Sequence, residues 1–353
     1  MAEVAALEKH DCVACGAQAT WHPARQMLVC GFCGTEAPYR VDAATGRAEE
    51  LDLVRALREL PDEQRGWQAE KRSVQCQSCK AISVFDPGRV GQNCEFCGSP
   101  ALVGYQEIKA PVRPQSLLPF RVSESQVRES MRRWFGSHWL APGALKRRGL
   151  VDTVHGVYVP YWTFDAHAAV SWTAEAGFTT YVTVNRRRVP RVRWQKAGGA
   201  FEHAFDDELV PATRGVQAGL LKGIEPFPTA DLAPYDTAYL SGFVVEHYQF
   251  VLAEAAQRAQ EAMNARLRQL CIQQIPGDTH RSLDMAVQLT RRTFKHVLLP
   301  VWLLHYSYGP RRFQVVVNGS TGVIAGDAPI SPWKVALLVL GALIVLALFL
   351  LAD

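Results

Sequence analysis

The longest uninterrupted apolar run lies near the C-terminal end. From Val335 to Leu351 there are seventeen residues without a polar side chain, eight of them leucine. As a helix the run would be about 26 Å long, near the lower limit for a membrane span. Its thirteen Leu, Ile, Val and Phe residues favour insertion by roughly 4–8 kcal/mol. No face is polar, and Trp333 and Lys334 stand at its edge, where interfacial anchors belong. The pattern predicts one transmembrane helix over 334–352.

Upstream the rhythm alternates between helix and strand. Val127, Met131, Trp134 and Phe135 recur at helical spacing behind Ser123-x-x-Gln126, a capping-box signature, and predict a helix over 124–136. Tyr248, Leu252, Ala255, Ala259, Met263, Leu267 and Leu270 predict a second over 247–272, with Cys271 as a buried small hydrophobe. Between them, runs rich in Val, Thr and aromatics predict strands over 157–164, 168–175, 178–184, 189–195 and 200–210. More strands are predicted over 280–294, 296–308, 312–318 and 323–325. The connections are short, so antiparallel hairpins are expected. Val159-Pro-Tyr-Trp162 and Leu299-Pro-Val-Trp302 are alike and suggest two related units.

The first hundred residues follow a different logic. Eight of the nine cysteines fall in four Cys-x-x-Cys pairs: Cys12 and Cys15, Cys30 and Cys33, Cys76 and Cys79, Cys94 and Cys97. Fourteen residues separate the pairs within each set, and an offset of 64 maps the first set onto the second. The same offset maps Trp21 onto Phe85 and Phe32 onto Phe96, so the module is duplicated. A Cys-x-x-Cys turn places two thiolates on one side of a tight bend. Gly16, Gly34 and Gly98 follow the second cysteine and permit the positive φ that such bends need; Lys80 departs from the pattern. Two such knuckles complete a tetrahedral four-sulfur shell, whose metal has no open position and is structural. The expected cofactors are two structural Zn2+ ions; iron in a rubredoxin-like shell fits the same spacing.

These readings combine into an α+β fold. Zinc ribbons at 8–40 and 72–105 are joined by a connecting helix within 47–71, where Leu53, Val54, Leu57 and Leu60 recur and Pro61 ends the run. A proline-rich linker (106–122), a mainly antiparallel β domain with helices (123–328) and the C-terminal transmembrane helix (334–352) complete the chain. The N-terminus has neither a basic nor an apolar signal-peptide region, so the thiols are expected to stay reduced. Lys334, Arg311 and Arg312 would place the N-terminal side in the cytoplasm, giving a single-pass protein of the cytoplasmic (inner) membrane.

Pro300-Val-Trp-Leu-Leu-His-Tyr-Ser-Tyr308, Val317-Asn-Gly-Ser-Thr-Gly322, Ala325-Gly-Asp-Ala-Pro329 and Ala238-Tyr-Leu-Ser-Gly-Phe-Val-Val-Glu-His-Tyr248 resemble stretches of bacterial zinc-ribbon membrane proteins. These are labelled transcription-factor-IIB-type zinc-ribbon proteins, or primosomal protein N′-like and helicase-like. The resemblance implies two metal-bearing ribbons, a lipid bilayer as one partner and an SPFH-type (stomatin/flotillin) scaffold as another. The helicase label does not carry over, because the chain has no Gly-x-x-x-x-Gly-Lys-[Ser/Thr] phosphate loop.

Charge refines the candidates. The net charge of +4 is short of the balance of a dedicated nucleic-acid binder. Within 73–100 only Lys80 and Arg89 oppose Asp86 and Glu95, so ribbon binding to nucleic acid would be weak and salt-sensitive. Arg186, Arg187, Arg188, Arg191 and Arg193 cluster at a predicted hairpin tip and are candidates for contact with an anionic surface. Glu202, His203, Asp206, Asp207 and Glu208 form an acidic run, for which an exposed strand and turn is the plainer reading. No His-Glu-x-x-His, Gly-x-Ser-x-Gly or dinucleotide motif is present. The sequence therefore points to a non-enzymatic adaptor that recruits a protein partner to the membrane face. A membrane-tethered nucleic-acid binder is the alternative.

Overall fold

The computed structural model describes residues 10–37, 50–58, 72–85, 93–97, 99, 101–104, 112–138, 140–142, 154–184, 187–308 and 311–352. The first ribbon is a three-stranded sheet, β1 (Ala19–His22), β2 (Met27–Cys30) and β3 (Glu36–Ala37). Next come β4 (Leu51–Asp52) and the short helix α1 (Leu53–Arg58). The second ribbon holds β5 (Arg72–Cys76), β6 (Ile82–Phe85) and β7 (Leu102–Gly104). The remaining elements are β8 (Ser116–Leu117), α2 (Glu124–Ser137), β9 (His155–Val184), β10 (Arg187–Pro211), α3 (Ala218–Gly223), β11 (Ala233–Pro234) and β12 (Val244–Glu246). They are followed by α4 (Leu252–Gln274), β13 (Thr279–Tyr308), β14 (Arg311–Asn318), β15 (Ile324–Gly326) and α5 (Pro332–Ala352).

The architecture is mostly strand, and it corrects the expected α+β layout. Two 30-residue strands, β9 and β13, pair antiparallel along nearly their whole length. On the outer edge of β9 lie β10 and then β12; on that of β13 lie β4, β8 and β14. β12 also pairs with β6, so the sheet continues without a break into the second ribbon. The two look-alike motifs do not mark separate units. Leu299 is paired with Val159 and Leu298 with Pro160, so the motifs face each other at the centre of one sheet.

Five strands are expected over 157–210, and two are found. Gly177 and Gly199, which fall between the expected strands, lie inside β9 and β10. A Cβ on Gly177 would come within 2.6 Å of Thr279, 2.8 Å of Val192 and 2.9 Å of Trp194. One on Gly199 would meet the Trp172 indole at 3.0 Å. These positions lack a side chain because an indole lies across them. Helix α4 covers one face of the long strands. Ala255, Ala259, Met263, Leu267 and Cys271 pack on alternate residues of β9, from Ala166 through Val170, Trp172 and Ala176. The described part of the proline-rich segment, 112–122, is core and not a linker: Leu117, Leu118 and Phe120 are fully buried, and β8 pairs with β13.

The transmembrane expectation is also corrected. A helix does form over Pro332–Ala352, tied to the body by Lys334 Nζ donating to the Ala141 carbonyl at 2.7 Å. Among the described residues no helix is long and apolar enough to cross a membrane. The single-pass topology is accordingly not supported.

The long strands bend where β10 and β13 each carry a bulge, between Phe205 and Glu208 and between Thr290 and Thr293. Asp207 and Arg291 take positive φ there. A polar knot fixes the bend. Lys295 Nζ, on a nearly buried side chain, lies 2.8 Å from Asp207 Oδ1 and 3.4 Å from Glu50 Oε1. Asp165 accepts from the Asp207 amide at 2.7 Å and from the Thr293 hydroxyl at 2.9 Å. Burial opposes the lysine's charge, but the bond to Asp207 and the neighbouring carboxylates outweigh it and raise the Lys295 pKa. Lys295→Met leaves Asp207 buried without its counter-charge. It should destabilise the fold by about 3–5 kcal/mol in urea unfolding; a loss below about 1 kcal/mol would show that the knot does not hold the bend.

Candidate metal centres

Each ribbon brings its four cysteines together. In both sets the four sulfur atoms lie within 4.8 Å of one another. The closest approaches are 3.5 Å (Cys12 to Cys33) and 3.6 Å (Cys15 to Cys30, Cys76 to Cys97, Cys79 to Cys94). A tetrahedron with ~2.3 Å metal–sulfur bonds has edges of ~3.8 Å, whereas a disulfide needs ~2.05 Å. All eight cysteines are unbridged. The donor set and its spacing thus fit two metal ions.

Backbone geometry explains why this sequence makes such sites. In three of the knuckles the amide four residues on closes the turn: Gly16 N to Cys12 O at 2.8 Å, Gly34 N to Cys30 O at 3.0 Å, Lys80 N to Cys76 O at 2.8 Å. Gly16 and Gly34 both sit at φ +72°, and Lys80 takes φ +66° in spite of its side chain. Amides of Ala14 and Phe96 point at the Cys12 and Cys94 sulfurs at 3.4 Å. The crowded thiols polarise one another. Cys97, facing Cys79 and Cys94, is pulled down to about 2, while the contacts with Cys94 and Cys97 push Cys79 well above the usual thiol range. The Thr35 hydroxyl and amide pull Cys33 down to about 6. Four such groups ionise together only around a cation.

The two centres are seated differently. The second is built into the sheet. The Glu95 carboxylate is 3.1 Å from His155 Nδ1, Phe96 is fully buried, and Gln314 Nε2 donates to the Phe96 carbonyl at 2.9 Å. The His247 amide donates to the Ile82 carbonyl at 3.0 Å. Among the described residues, the first is tied to the body through its hairpin. Trp21 packs against Tyr239 at 4.5 Å between ring centres, Gln26 Nε2 donates to the Phe120 carbonyl at 2.7 Å, and the Ser241 hydroxyl donates to the Ala19 carbonyl at 2.8 Å. Cys15 and Cys33 face solvent.

The other candidate residues are dispersed. Arg186 lies outside the described residues, and Arg187 opens β10. Arg188, Arg191 and Arg193 are exposed, but strand alternation puts Arg188 on the face opposite Arg191 and Arg193, so the cluster is not one patch. In the acidic run, Asp207 is the buried partner of Lys295, whereas Glu202 and Asp206 are exposed. A cavity of about 210 Å³ beside the second centre is lined by Cys79, Cys97, Arg214, His305, Tyr306 and Gln314. Sequence reading missed Lys295, Gln314 and Glu246, all polar residues within apolar strands, where burial itself is the signal.

The fold and its sites define a mainly antiparallel, long-stranded sheet protein with two four-cysteine clusters that could each hold a metal ion, one at the end of that sheet and one on a separate three-stranded sheet. No family model matches the chain, and no solved structure matches it. The chain is similar to a Bacillus subtilis (strain 168) protein described as uncharacterized protein YdjG, 26% identical over 237 residues. The match takes in 63% of this chain and 66% of that relative's length.

Metal loss should act unequally. Cys76→Ser, within the continuous sheet, should lower the main thermal transition by at least ~6 °C, whereas Cys15→Ser should leave it within ~2 °C while removing one metal ion. Equal effects would contradict the different seating. Burial also pushes the Glu246 carboxyl up to about 8, against hydrogen bonds at 2.7 Å from the Thr213 hydroxyl and the Gln249 amide. A folded pKa above the ordinary 4.5 means that stability is greatest at acid pH and declines as pH rises towards 8. Relative to Glu246→Gln, the native chain should lose a few kcal/mol between pH 5 and pH 8, at about 1.4 kcal/mol for each tenfold change in proton affinity. Parallel stability curves would contradict a buried, protonated Glu246.

Proposed function

We propose that this chain is a non-enzymatic adaptor whose eight cysteines hold two structural Zn2+ ions and whose ribbons recruit a protein partner. The observation that carries the reading is the closed donor set. Each centre has four cysteine sulfurs within 4.8 Å of one another, and a tetrahedral ion that they held would have no position left for substrate or activated water. Zinc is favoured over iron because the tetrads serve as folding elements, and d10 zinc imposes no geometry of its own. An SPFH-type scaffold, the partner class implied by the family resemblance, is the first to test. The nucleic-acid alternative has less support, since the exposed arginines of β10 divide between two faces.

Elemental analysis of the purified, colourless chain should give two zinc ions and no iron. Tagged full-length chain should retain a protein partner in stoichiometric amount and release it when Cys12 and Cys33 are replaced by serine. A folded but metal-free chain, or unchanged retention after loss of the first centre, would contradict the reading.

A further inference from the structure

The duplication supplies an internal comparison, because the second knuckle of the module occurs once packed against the sheet and once exposed. Phe96, in the second knuckle of the second ribbon, is fully buried. Its pocket is floored by Gly215, where a Cβ would come within 2.7 Å of the ring, and Gln314 Nε2 donates to its carbonyl at 2.9 Å. Leu220, Leu221 and Val316 belong to the same cluster. Phe32 is the equivalent residue of the first ribbon, and it is 84% exposed.

Polarity makes the contrast sharper. In the first knuckles both copies are open to solvent, yet Gln77 and Ser78 stand where the first ribbon has Val13 and Ala14. Val13 is 90% exposed. The copy already docked by its second knuckle thus carries polar residues, and Glu95 beside Phe96. The first ribbon has Gly31 at that place and no charged side chain within either Cys-x-x-Cys. Solvation alone would select the opposite distribution. Apolar side chains held on rigid, metal-closed turns lose little entropy on binding, which suits them as anchors.

We propose that Val13, Ala14, Gly31 and Phe32 form a docking surface for a folded protein that receives Phe32 in a phenyl-sized apolar pocket. The pocket that receives Phe96 specifies the partner's chemistry: a floor without a side chain, aliphatic walls, and a side-chain N–H donor facing the Phe32 carbonyl. This inference rests on the adaptor reading and gives it a binding face.

The test places a photocrosslinking benzoyl-phenylalanine at position 32 of the full-length, zinc-loaded chain in the cells that make it. The same residue at Tyr181, an exposed aromatic on β9, is the control. The adduct from position 32 should map by mass spectrometry to a concave apolar site on one folded protein. That protein, purified, should bind the native chain and lose about tenfold or more in affinity to Phe32→Ala and to Val13→Ser. Both variants should keep two metal ions, which separates lost contact from lost fold. Adducts from position 181 alone, or affinities unchanged within about twofold, would overturn this surface and leave the adaptor reading standing. An adduct from position 32 only to nucleic acid, or only to a second copy of the chain, would overturn the assigned partner. No protein adduct from either position would take the adaptor reading down with it.

Discussion

Four sulfur atoms confined within 4.8 Å of one another cannot all be thiolates without a cation among them, and that constraint governs the N-terminal third of the molecule. The knuckles are only a few residues long, and in the first ribbon their intervening residues Val13 and Phe32 stay exposed. Their geometry is that of a shell able to close around one ion. In the second ribbon the constraint reaches further. Because β6 pairs with β12, and β12 with β9, the tetrad becomes one end of the main sheet, and Gln314 ties the Phe96 carbonyl to β14.

The main sheet follows a separate logic. Two very long strands are laid side by side, covered on one face by α4 and bent at a pair of bulges. A buried lysine among carboxylates marks the bend, where two strands take positive φ at once. Strands of this length are costly to keep regular. The cross-strand fit of Trp194 over Gly177 and Trp172 over Gly199 shows how side-chain volume is matched against backbone space.

Much of this is legible in the sequence, for identifiable reasons. The two cysteine tetrads can be read because metal-site chemistry requires fixed spacing, and the capping box at Ser123 can be read because its hydrogen bonds are local. Helix α4 is readable from its apolar stripe, although it begins at Leu252 and not at His247. What cannot be read depends on distant partners. Glycine inside a strand looks like a turn until the indole across from it is known. Residues 112–120 look like a linker because their prolines are visible and their burial is not. The C-terminal run misleads in another way: composition alone suggests a span, whereas among the described residues no helix is long and apolar enough to cross a membrane.

Zinc K-edge X-ray absorption on the purified full-length chain tests the central claim most directly. The account predicts a single shell of four sulfur neighbours at about 2.3 Å, with an intensity equal to two fully occupied sites per chain. A shell containing nitrogen or oxygen, or absorption equal to one site or none in folded protein, would contradict it.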